Sequence, residues 1–229
     1  MNPYRILGII LLALMPLSQA LSQDALLTGS VIGTEQSVDY STGAASTTVN
    51  TCACAFDGNL DTYFASYERR LTWAGLDLGT PHVITRIGWA PRKDALGPQR
   101  TLLGVFEGAN RPDFLDALPL YVIDNAQPSG QMTYKDVDVS LGFRYVRYVG
   151  PADARCNIAE LAFYGHEGEG DESRLYQVTN LPTVSFHTVD AVDPYDKEHE
   201  LISQFAFVYD GGSKVQRHTG KSRLRGNAS

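Results

Sequence analysis

The sequence predicts an all-β fold: an antiparallel β-sandwich followed by an incomplete C-terminal β segment. Three observations carry this. Short apolar runs alternate with Gly, Pro, Asn and Asp from Leu26 to Gly165, the pattern of sandwich strands and their turns. Glycine (21) and tyrosine (12) are plentiful, which suits many turns and half-buried strands. No helix-period segment longer than two turns is evident, and no internal repeat is visible.

The first element along the chain reads as a targeting device. Arg5 supplies positive charge, residues 6–17 are nearly all apolar, and Ser18-Gln19-Ala20 offers a small-x-small cleavage site. The run is too short for a spanning helix, and no cysteine follows it to carry a lipid. Residues 1–23 are therefore read as a signal peptide. The mature chain is expected to be secreted, at the cell surface or periplasmic, with no stable membrane insertion after cleavage.

Residues 24–165 carry the strands. Strand-like runs occupy residues 83–89, 102–106 and 120–123. In residues 133–139 Val137 and Val139 alternate with Asp136 and Asp138, the period of a half-buried strand. Residues 143–149 are aromatic and β-branched, interrupted by Arg144 and Arg147, and residues 158–164 close the set. Trp73, Leu76, Leu78, Ile87, Val105, Phe143 and Leu161 are the expected core. Residues 166–174 are acidic and glycine-rich and read as a linker. Residues 175–229 resume globular character, with strand-like runs at 183–187 and 205–209. Some 55 residues seldom support a core alone, so this piece packs on the first domain or begins a domain that it does not complete.

Composition excludes several functions. The formal net charge is −7, which leaves no basic surplus for a nucleic-acid partner. Apolar residues at 43% and charged residues at 20% rule out global disorder. No G-x-S-x-G, H-E-x-x-H or phosphate-binding Gly-Lys-Ser loop is present, and the five histidines are scattered. The chain is read as non-catalytic. Cys52, Cys54 and Cys156 allow one disulfide and one free thiol, and either of the first two could meet Cys156.

One stretch carries a family resemblance. Ala55-Phe56-Asp57-Gly58-Asn59-Leu60-Asp61-Thr62-Tyr63-Phe64 resembles the A-x-D-G-x-x-x-T-x-[WF] segment of the discoidin, or F5/8 type C, superfamily. Trp73-Ala74-Gly75-Leu76-Asp77-Leu78-Gly79 is similar to that group's W-x-x-x-D-L-G strand. Phe143-Arg144-Tyr145-Val146-Arg147-Tyr148 and Ile158-Ala159-Glu160-Leu161-Ala162-Phe163-Tyr164-Gly165 are similar to its two late strands. The four motifs stand in the right order across residues 24–165. The resemblance implies a galactose-binding-like jelly roll, a group that includes the family 32 carbohydrate-binding modules.

It also implies a structural calcium ion. Carried over by position, the ligands are the carbonyls of Cys54 and Ala159, the side chains of Asp57, Asn59 and Thr62, and Glu160. The chemistry suits calcium, which takes six to eight oxygens. A shared ion would draw the Cys54 and Cys156 segments together, so a Cys54–Cys156 disulfide is expected, with Cys52–Cys156 as the alternative. Ligand loops in this superfamily cluster at one end of the sandwich. Sugar sites need aromatic faces and polar donors; Tyr67, Arg69, Arg92 and Arg100 are the candidates, with Arg70, Trp89 and Lys93 beside them. The expected function is non-catalytic binding of a glycan or other cell-surface ligand, with protein-binding adhesion as a further reading.

Leu181-Pro182-Thr183-Val184-Ser185-Phe186-His187-Thr188 and Ser222-Arg223-Leu224-Arg225-Gly226-Asn227-Ala228-Ser229 resemble the opening of the spore-coat protein H (CotH) kinase family. Leu224 and Ala228 depart from that pattern. This resemblance implies the start of a kinase-like domain whose phosphoryl-transfer residues would follow Ser229, so that the chain would be a truncated product or fragment.

Overall fold

The computed structural model describes residues 24–170, 183–188, 197–209 and 214–224. The signal peptide expected at residues 1–23, the second half of the expected linker, and Arg225 to Ser229 lie outside the described residues.

Ten strands build the first domain. They are β1 (Ala25–Leu26), β2 (Ser30–Gly33), β3 (Ser37–Asp39), β4 (Ala44–Ser46), β5 (Trp73–Pro91), β6 (Val105–Ala109), β7 (Leu118–Val122), β8 (Thr133–Asp136), β9 (Gly142–Val149) and β10 (Ile158–Glu167). A 3-10 turn at Cys52–Ala55 and a short helix α1 (Gly97–Thr101) punctuate them. All pairings between these strands are antiparallel; eight form one sheet in the order β1-β10-β5-β9-β6-β7, with β2 and β8 also on β5, and β3 and β4 form a separate two-stranded sheet. The fold is the antiparallel β-sandwich that the strand pattern predicts.

The 19-residue β5 organises both layers. Its first part pairs with β2 and β9 through Ala74 to Asp77; its second part pairs with β10 and β8 through Ile87 to Trp89. The ladder to β9 is irregular between Asp77 and His82. Pro81 falls in that irregular stretch, where a missing N–H removes no ladder bond. Aromatic rings fill the space between the layers. Phe106 lies 5.6 Å from Trp89, 5.1 Å from Tyr148 and 6.0 Å from Phe163, centroid to centroid. Burying side chains of this size contributes about 1.5–3 kcal/mol each.

Of the expected core, Leu76, Ile87, Val105, Phe143 and Leu161 are buried, while Trp73 and Leu78 are half-buried. Trp73 differs because strand residues alternate faces. Ala74 and Leu76 point into the sandwich. Trp73 joins a second cluster formed by Ala109, Phe114, Ala117 and Tyr145.

The expected Cys54–Cys156 disulfide is not formed; all three thiols are free. The expectation rested on a shared ion drawing the Cys54 and Cys156 segments together. Cys52 and Cys54 lie in a 3-10 turn, where residues two apart are rotated by about 240° and so do not share a face. Cys156 is buried, and Cys52 is the thiol that acts on it electrostatically. Burial pushes the Cys52 thiol up to about 12 and raises that of Cys156 as well.

The expected linker begins later than its composition suggests. His166 and Glu167 continue β10 opposite Val83 and His82. Gly168 then donates to the Pro81 carbonyl, and the Glu169 carbonyl accepts from Gly142. Residues 166–170 thus belong to the sandwich.

Three further strands, β11 (Thr183–Thr188), β12 (Leu201–Tyr209) and β13 (Lys214–Ser222), form a separate antiparallel sheet with β12 in the centre. Among its described side chains only Ser203, Gln204 and Ala206 are buried, while Val184, Phe186 and Phe207 are exposed. Among the described side chains the sheet closes no core of its own. Among the described residues no helix is long and apolar enough to cross a membrane.

Candidate functional site

Two loops carry the chemistry. The first, residues 56–62, is a tight turn built around Asp57. Its Oδ1 accepts from the Asn59 amide at 2.8 Å, and its Oδ2 accepts from the Thr62 hydroxyl at 2.8 Å. Gly58 has φ +74°, the left-handed region that favours glycine. Its amide donates to Glu160 Oε2 at 3.1 Å across 102 residues of sequence. A register shift in β10 between Ile158 and Glu160 leaves Ala159 out of the ladder and re-aims the strand at this loop.

The structure therefore brings Asp57, Thr62 and Glu160 together. Glu160 is 8% exposed and its carboxyl is raised to about 7, first by burial and then by the charge of Asp57. Asn59 sits in the same turn, with its side-chain oxygen accepting from the Asp61 amide at 3.1 Å and its backbone carbonyl accepting from Thr62. Cys54 lies in the 3-10 turn that leads into the loop. Among the described residues no cluster of three or more His, Cys, Asp or Glu forms; the acidic groups here are a pair. A cleft of about 500 Å³ opens beside the pair, lined largely by apolar residues including Leu26, Phe56 and Tyr134.

The second loop follows β5. Arg92 lies 3.7 Å above the Tyr63 ring and 5.4 Å from that of Tyr40. Asp94 holds it in place, forming an ion pair with Arg92 at 3.3 Å and accepting a hydrogen bond from Arg100 at 2.9 Å. Burial works against the Asp94 charge, but the Leu96 amide and the two arginines outweigh it and keep its carboxyl below the usual range. Asn157 reaches the Tyr40 hydroxyl at 3.5 Å. Lys93 ties this loop to the first by a 2.9 Å ion pair with Asp61.

Arg92 and Arg100, expected as ligand-binding residues, thus share one cluster. Tyr67 and Arg69 lie along a different stretch. The Tyr67 amide donates to the Gln36 carbonyl, and Arg155 donates to the Tyr67 carbonyl. The Arg69 carbonyl accepts from the Asp153 amide. Neither shares a described contact with Arg92. Trp89 is buried in the core and presents no face to a ligand. Sequence reasoning missed Tyr40, Tyr63 and Asn157. A signal existed for Tyr63: it stands between Thr62, bonded into the loop, and the buried Phe64, so alternation turns it outward.

No family model matches the chain, and no curated protein matches it. Solved structures do. The CBM62 of Xyl5A from Clostridium thermocellum is 42% identical, with a TM-score of 0.57, over 63% of this chain and 99% of that one. The CBM32 of AlyQ, solved with 4,5-unsaturated mannuronic acid, is 17% identical, with a TM-score of 0.47, over 61% of this chain and 97% of that one. A fucolectin from striped bass, Morone saxatilis, is 18% identical, with a TM-score of 0.49, over 63% and 50% of the two chains. The share of this chain that these matches cover is about the size of the sandwich.

Proposed function

Because the chain belongs to the family of the CBM62 carbohydrate-binding modules, we propose that it is an exported, non-catalytic module that binds a glycan, with a structural calcium ion supporting the binding loops. One observation carries the site: the Arg92 guanidinium over Tyr63, with Tyr40 beside it. Tyrosine faces suit the C–H surface of a sugar ring, and a guanidinium fixed by Asp94 offers several hydroxyl-directed donors at little entropic cost. The ligand class is a glycan or a cell-surface molecule that displays one. Export is supported by the apolar run and the small-x-small site near the N-terminus.

Calcium is supported by the chemistry of the donors. Two carboxylates, Asp57 and Glu160, face each other closely enough that one raises the pKa of the other. The Thr62 hydroxyl and the Asn59 carbonyl lie beside them. A divalent cation here would turn this repulsion into attraction, with the freed Ala159 and the Cys54 carbonyl completing an oxygen set. The ion would supply charge neutralisation and order, and no chemistry. Its consequence for binding runs through the chain. The residues after Asn59 include Asp61, which holds Lys93, and Tyr63, which lies under Arg92. Fixing the Asp57 turn fixes the ring on which the arginine rests.

The test is a glycan array with the processed chain, followed by titration of the best ligand. Arg92→Ala and Tyr63→Ala are expected to weaken binding by about tenfold or more, the loss of roughly one good polar or stacking contact. Tyr67→Ala and Arg69→Ala are expected to leave it near wild type. Absence of any glycan ligand would overturn the function, and losses confined to Tyr67 and Arg69 would move the site.

A further inference from the structure

Glu107, in β6, is wholly buried although it lies on the face of the strand away from the sandwich core. Arg147 on the neighbouring β9 donates to its Oε2 through Nε at 2.8 Å and approaches through Nη2 at 2.7 Å. The same arginine lies 3.9 Å over the Phe114 ring and 5.2 Å from that of Trp73. The remaining partners come from the three-stranded sheet. Gln204 in β12 donates to Glu107 Oε1. Arg217 in β13 lies 3.9 Å from the same oxygen and donates to the Phe114 carbonyl at 2.5 Å.

Burial alone would push this carboxyl up. Arg147 and then Arg217 outweigh it, and it is held below the usual range. A carboxylate removed from water costs several kcal/mol unless cations and donors surround it. On the sandwich, Arg147 supplies only part of that set. The rest stands about a hundred residues later, on two strands whose register places Gln204 opposite Thr219 and Ala206 opposite Arg217. A slip of one residue in either strand would turn its donor to the other face.

We infer that the Glu107 face is a docking surface for the chain's own C-terminal sheet, and that the shared carboxylate clamps the two into one rigid body. The sheet contributes polar groups to this contact and keeps Phe186 and Phe207 on its exposed side. Among the described side chains, the contact is made by Gln204 and Arg217 around a buried carboxylate, with Ala206 buried beside them. The glycan-binding end of the module is consequently held at a fixed orientation to the sheet.

Hydrogen exchange on the processed chain tests this. Glu107→Gln can unsettle the sandwich, because it leaves Arg147 buried without its counter-charge. Arg217→Leu and Gln204→Leu act from the sheet side alone and avoid that problem. Amides of residues 202–207 are expected to lose protection about tenfold or more in Arg217→Leu, while those of β5, β9 and β10 keep theirs and glycan binding is unchanged. Unchanged protection in both sheet-side variants would overturn the clamp. So would a parallel loss in sheet and sandwich, which would make the contact part of one common core.

Discussion

Glu107 and Glu160 are both carboxylates taken largely out of water, yet they are displaced in opposite directions. The difference lies in the neighbours. Glu107 faces two arginines, whereas Glu160 faces Asp57. The second arrangement favours a bound cation, and Glu160→Gln examines it. In calorimetry at neutral pH, calcium is expected to raise the melting temperature of the wild type. At a hundredfold excess over Kd the gain would be about 2.7 kcal/mol. The variant is expected to melt alike with calcium or chelator. A wild type indifferent to both would remove the ion. Asp57 and Glu160 were legible in the sequence because each sits inside a recognisable motif. Arg147 was not: it read as an interruption of an apolar strand, since the groups that justify a buried charge, Glu107 and the Phe114 ring, lie 40 and 33 residues away. Tyr40 was equally hidden, because its contact with Arg92 joins loops that no local pattern connects.

At the scale of elements, β5 governs how the layers meet. Residues 73–79 and 83–89 read in sequence as separate strand-like runs. In the structure the segment bends and stays within one strand, and local periodicity cannot distinguish a bend from a break. The approach of β5 to β9 is close. A Cβ added at Gly75 would lie 2.2 Å from the Val146 carbonyl oxygen and 2.8 Å from Arg147 Cβ. Both obstacles belong to the facing strand and neither can swing aside. Gly75→Ala is therefore expected to force the strands apart and cost about 1–3 kcal/mol, read as a lower urea midpoint with an unchanged slope. A midpoint equal to that of the wild type would show that the ladder yields at no cost. The strand pattern made the sandwich legible, but the glycines of residues 168–170 read as flexible when they continue the sheet's hydrogen bonding.

At the scale of the whole molecule, the clamp gives the two sheets different responses to acid. Glu107 is faced by Arg147 from β9, Arg217 from β13 and the Gln204 amide from β12. Its folded-state value lies below the ordinary one, so its contribution is fully present above about pH 4.3. That contribution is lost as pH falls through the folded-state value. Acidification is expected to expose the three-stranded sheet to exchange before the sandwich opens, and simultaneous loss would contradict this order. The chain's two indoles can follow these events separately. Trp89 lies deep among Phe106 and Tyr121, whereas Trp73 lies against Phe114 and beneath Arg147, and the docked sheet engages the Phe114 carbonyl and Arg147's partner Glu107. Lifting the sheet would admit solvent to one chromophore and leave the other dark to the change. In a Trp89→Phe background the emission maximum becomes an optical gauge of docking alone, readable in a cuvette without any label.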